Sequence, residues 1–159
     1  GPDALVTGGV IAQLGAEGMA SPTDADTRRF YNAPDVAIFS DDIQNRRYLA
    51  INIGSGYRAH PLDNTNADRF YSIRDPDLFS KLTQSDYDNY NIVTDSILEE
   101  VSGSVGTTIG ASDRGWKFTL PNDQKILAAS TTFNNEVFFV AFSPDAAAAA
   151  SCAAGRGRR

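Results

Sequence analysis

Between Arg47 and Asp75 the chain reads RYLAINIGSGYRAHPLDNTNADRFYSIRD, two short apolar runs separated by a glycine turn and a polar loop. Tyr48-Leu49-Ala50-Ile51-Asn52-Ile53 has strand composition and ends at Gly54-Ser55-Gly56, where glycine permits a sharp reversal. Phe70-Tyr71-Ser72-Ile73 is aromatic and β-branched and closes at Arg74-Asp75-Pro76. Runs this short suit strands that pair with sequence neighbours, so the pattern predicts antiparallel sheets.

The same punctuation recurs. Val36–Phe39 and the run from Tyr48 to Ile53, joined through a turn at Asp41-Asp42, predict a hairpin, with 69–74 as its third strand. Gly115–Leu120 alternates apolar and polar residues up to Pro121. Residues 125–133 and 137–142 predict a second hairpin about Asn134-Asn135, a pair that tolerates positive φ. Two clusters, 35–75 and 115–143, thus flank an insertion, 77–113. Within it Ile92–Val101, with Ile97, Leu98 and Val101 at helical spacing and Thr94 as cap, predicts a helix, and Gly103–Gly110 a linker. Val6–Ile11 predicts a weak strand or an ordered loop.

A chain of 159 residues allows one domain or part of one, and its net charge of −6 leaves no basic stripe for nucleic acid. No apolar run is long enough to span a bilayer. Gly1-Pro2 reads as the scar of a removed purification tag, and 146–159, with the lone Cys152 and the arginine-rich end, as a low-complexity, disordered tail.

Several groups carry possible chemistry. Asp63, Asn66 and Asp68 supply oxygens of the kind calcium takes, and equally the turn caps that Asp and Asn commonly form. His60, the single histidine, has no nucleophile-elbow pattern around Ser55 and reads as ordering its loop. Asp86, Asp88, Asp95, Glu99 and Glu100 have the residue types of a glycosidase pair, but their polar setting reads as a solvated surface. Tyr87 and Tyr90 are candidates for partner binding or for packing over a sheet edge. No catalytic set emerges.

Ile53-Gly-Ser-Gly-Tyr-Arg-Ala-His-Pro-Leu-Asp63, continued by Asp68-Arg-Phe-Tyr-Ser-Ile-Arg-Asp75, resembles the C-terminal β-propeller domain of the PilY-type tip proteins of bacterial type IV pili. Val6–Ile11, Arg28–Tyr31, Pro34–Ala37, Gly115-Trp116, Val137–Phe139 and Ser143–Asp145 extend the likeness over most of 3–145. The resemblance implies a mainly β fold: antiparallel, blade-like sheets, about two blades of a propeller, with a short helix in the insertion. It implies a non-enzymatic, exported protein at the pilus tip, supporting pilus assembly, retraction and adhesion, with pilin or minor pilins and a host or abiotic surface as partners. The acidic Asp-x-Asp-x-Asn-x-Asp loop that binds calcium in some members is not in this sequence. A calcium-responsive module and, behind it, a quinoprotein-like propeller enzyme are the alternative readings.

Overall fold

A computed structural model describes residues 6–41, 46–77, 80–101, 108–121, 123–144 and 156–158. Gly1-Pro2, Cys152 and its alanine-rich surroundings, and most of Gly103–Gly110 lie outside them. In chain order the elements are β1 (Ala12–Gln13), β2 (Asp35–Asp41), β3 (Arg46–Gly54), β4 (Arg69–Asp75), α1 (Gln84–Asp88), β5 (Val93–Thr94) and β6 (Glu99–Glu100). There follow β7 (Gly115–Thr119), β8 (Lys125–Ile126), β9 (Thr131–Phe133), β10 (Glu136–Phe138), β11 (Ala141–Ser143) and β12 (Arg156–Arg158). Among the described residues the protein is mainly β, its sheets mostly antiparallel, with one short α-helix inside the insertion.

The central sheet has the order β2-β3-β4-β7-β6. Its first four members run antiparallel, with Ile51 opposite Val36 on one side and Ile73 on the other, and Tyr71 opposite Lys117. β6 adds a parallel edge of two residues. Here the structure corrects the sequence reading: Gly115–Thr119 joins the sheet of the first cluster instead of opening a second. A strand flanked on both sides gains two ladders of hydrogen bonds, and β4 takes its second from β7 across the insertion.

Successive side chains point to opposite faces, and each face of the sheet has its own apolar core. On one, Tyr71 and Ile73 pack with Leu14 from the N-terminal segment and with Val93 and Leu98 from the insertion. On the other, Phe70 packs with Leu120, Ile126 and Ala141, flanked by Trp116, Phe118, Val137 and Phe139. The Phe70 and Phe139 rings stack at 4.1 Å between centroids.

The expected helix over 92–101 is not formed. The segment divides into β5, a 3-10 turn at Asp95–Ile97 that Thr94 precedes without a side-chain capping bond, and β6. Tertiary hydrogen bonds take it over: Val93 N–H donates to Ile11 O and Val101 N–H to Lys117 O. The helix lies earlier, where Thr83 accepts from Asp86 N–H and the Asp86 carboxylate accepts from Thr83 N–H. The runs 125–133 and 137–142 are also broken, each into two short strands. β8 and β11 pair with each other, while β9 and β10 form the hairpin turned by Asn134 and Asn135, at φ of 52° and 62°. Arg156–Arg158, read from sequence as a disordered end, pairs with Ala141–Ser143.

Gly115 enters β7 at φ 134°, and a Cβ there would lie 2.1 Å from the Ser72 carbonyl oxygen. Backbone cannot retreat as a flexible side chain can. Gly115→Ala is therefore expected to lower stability by about 1–3 kcal/mol from the dihedral alone, with the clash added. A urea titration of the variant against the parent chain measures it.

Candidate functional site

Asp95 is the centre of a buried polar cluster on the Tyr71 face. The 3-10 turn drops its carboxylate against β4 and β7, leaving the residue 5% exposed. Tyr71 Oη donates to Asp95 Oδ1 at 2.9 Å, Lys117 Nζ donates to Oδ2 at 2.8 Å, and Arg69 forms an ion pair with Oδ1. Arg28 Nε in turn donates to Tyr71 Oη at 3.3 Å. Burial opposes the charged carboxylate, but hydrogen bonds from Lys117, Arg69 and Tyr71 outweigh it and hold Asp95 below the usual carboxylate range. Burial also pushes the Tyr71 hydroxyl up, with the Asp95 charge reinforcing it. The reading of Asp95 as solvated is thus corrected. The other four carboxylates of that group are spread out: Asp86 caps α1, Asp88 accepts from Gln84, Glu99 is exposed, and Glu100 accepts from Thr119 N–H and Oγ1.

A second polar cluster lies where the glycine turn meets β8. Ser55, Asp68 and Lys125 are almost wholly buried. Ser55 Oγ donates to Asp68 Oδ1 at 2.8 Å and accepts from Arg69 N–H at 2.9 Å. Lys125 Nζ stands 3.6 Å from Asp68 Oδ2. Close backbone approach sets this geometry: Ser55 O accepts from Ile126 N–H, and a Cβ on Gly56 would sit 2.6 Å from Ile126 O.

The three candidate calcium ligands meet different partners. Half-buried Asp63 accepts from Thr65 N–H and Oγ1, and these bonds hold its carboxyl below its ordinary value. Asn66 is buried, its amide turned to donate to Asp24 O and accept from Arg29 Nη1, both at 2.8 Å. Asp68 faces an ammonium inside the protein. Among the described residues no group of three or more His, Cys, Asp or Glu is placed to hold a metal ion. His60 lies edge-on to Tyr57 at 4.8 Å, and Arg29 covers the Tyr57 ring at 4.0 Å.

Tyr87 and Tyr90 are brought together, rings 6.5 Å apart, both half-buried. Tyr87 lies over Gly9, whose Cβ position is 2.9 Å from Tyr87 Cβ. Tyr90 Oη accepts from Arg114 Nη2 at 2.8 Å, and burial raises its pKa. The pair therefore has one side on the protein and one toward solvent.

An open apolar hollow of about 690 Å³, lined by Leu120, Pro121, Val137, Phe139, Val140 and other residues of 118–141, lies beside the second core. Sequence reasoning did not anticipate it, nor the roles of Arg69, Lys117 and Lys125. Lys117 between Trp116 and Phe118 was a usable signal, since alternation puts it on the face opposite those rings.

No helix among the described residues is long and apolar enough to cross a membrane. No family model matches the chain, and no curated protein or solved structure matches it.

Proposed function

We infer that this chain is part of the β-propeller of a PilY-type protein of the type IV pilus tip, a non-catalytic scaffold that carries recognition loops. The observation that carries the reading is the antiparallel meander β2-β3-β4-β7, a four-stranded unit interrupted by the insertion before its last strand. Propeller blades have that strand number and bury their faces against neighbouring blades. Val36 and Ile38 on β2 are 50% and 58% exposed and Phe133 is 73% exposed, as surfaces that stack on further sheets would be. The sequence likeness over Ile53–Asp75 gives the reading its family.

In this reading the buried clusters are structural, and contact with pilin, minor pilins or a host or abiotic surface falls to the insertion, because binding residues favour loops on rigid supports. Replacing Tyr87 and Tyr90 by alanine in the parent protein is expected to reduce adhesion of piliated cells about tenfold, the effect of losing roughly 1.4 kcal/mol of contact. Pilus number, counted by electron microscopy, is expected to stay unchanged. Undiminished adhesion by cells bearing the double variant would remove the assignment of contacts to this pair.

A further inference from the structure

We propose that Lys125 and Asp68 are the partners of an intramolecular isopeptide bond that the folded protein forms by itself. Their side chains are 1% and 2% exposed, with Lys125 Nζ 3.6 Å from Asp68 Oδ2. Neither of those two atoms has a hydrogen-bond partner among the described residues. A buried ion pair with unspent donors and lone pairs retains most of its desolvation penalty. Conversion to an amide removes both charges from the interior.

The reaction is a condensation. Lys125 Nζ bonds to Asp68 Cγ, the Cγ–Oδ2 bond breaks, and Oδ2 leaves as water with two of the three ammonium protons. The charges cancel, and no oxidant or other reactant takes part. Ser55 is placed to assist, because its hydroxyl donates to Asp68 Oδ1, the oxygen that gains negative charge as the nitrogen adds. Its own oxygen accepts from Arg69 N–H, which fixes the direction of that donation. The remaining requirement is proximity, and two groups held by packed strands react with a large entropic advantage over free ones. Near-zero exposure of all three side chains keeps bulk water from reversing the step.

The bond would join the loop before β4 to β8, covalently linking the central sheet to the strands that cover its Phe70 face. The chemistry stands independently of the pilus reading. Its value to a protein under tension rests on that reading, because an amide does not yield to pulling forces that separate sheets.

Intact-mass spectrometry of the denatured full chain, purified in its folded state, is the test. The expected mass is one water (18 Da by stoichiometry) below that of the sequence, with the tryptic peptide Ala59–Arg69 linked to the peptide carrying an uncut Lys125. Lys125→Arg is expected to restore the sequence mass, and Ser55→Ala to slow the loss about a hundredfold. An undiminished mass in the folded chain overturns the proposal. So does a water loss that tandem spectra place elsewhere, as in cyclisation of another aspartate. An unchanged rate in Ser55→Ala overturns the part assigned to the serine.

Discussion

Asp95→Ala is expected to destabilise the protein by about 3–5 kcal/mol, the usual cost of removing one partner of a buried charge pair. The loss arises from what stays behind. Arg69 and Lys117 keep side-chain exposures of 17% and 14% without the carboxylate they share. A domain of ordinary stability has only about 5–15 kcal/mol in total, so the variant is expected to lie near its unfolding midpoint at modest urea concentrations. Tyr71→Phe leaves both ion pairs intact and removes the hydroxyl's hydrogen bonds to Asp95 and from Arg28, for an expected cost of about 1–3 kcal/mol. Equilibrium urea unfolding of the two variants, followed by tyrosine and tryptophan fluorescence, orders them. Equal costs would show that Asp95 acts through the hydroxyl and not through the cations.

The same carboxylate gives a pH dependence with a definite sign. Its folded pKa lies below the reference value of 3.8. The unfolded chain therefore takes up the proton first as pH falls, and the contribution of Asp95 is complete above that reference value. It is lost as pH falls further, through the folded value. Acid unfolding of the parent chain should show this component, and Asp95→Ala should lack it.

The second large effect is expected at the next side chain inward on the other face. Phe70 has no exposed surface and stacks on Phe139, with Trp116 at 5.8 Å. Phe70→Ala is expected to cost about 3–5 kcal/mol, transfer and cavity together. The distribution of that loss matters as much as its size. Phe70 belongs to the central sheet, while Ile126 and Ala141 belong to the strands that cover it and Phe139 to the link between β10 and β11. Amide hydrogen exchange should consequently accelerate more over 125–143 than over β2 and β3. Uniform acceleration would mean that both parts unfold as one unit.

The two faces explain what sequence could and could not convey. β2, β3 and β4 were legible because each is a short apolar run, β-branched or aromatic, that ends at a turn residue. Asn134-Asn135 was legible because the positive φ that a tight turn needs is easiest for asparagine among residues with a side chain. The segment 92–101 was misread because Ile97, Leu98 and Val101 satisfy a helical spacing, whereas long-range bonds to Ile11 and Lys117 decide its conformation. Ile97 is 42% exposed and Leu98 4%, so the apparent stripe is not a buried face at all. The true helix carried its signal in Thr83-Gln-Ser-Asp86, which a tyrosine-rich polar context obscured. The Asp95 cluster was illegible for a different reason. Arg69, Tyr71 and Lys117 share a face only once β4 and β7 are in register, with Tyr71 opposite Lys117 across the intervening insertion. Ser55, Asp68 and Lys125 likewise meet only where the turn after β3 and the loop before β4 reach the distant β8.

The order β2-β3-β4-β7-β6 also makes the sheet directional as a building block. One border ends in two exposed glutamates, too short and too charged to accept another strand readily. The opposite border is seven residues long and carries the exposed apolar side chains of Val36 and Ile38. A partner that lengthens this sheet by strand addition is expected on the β2 side. The central sheet is therefore expected to extend at its β2 border, and a lysine or proline placed at Val36 or Ile38 would block that border.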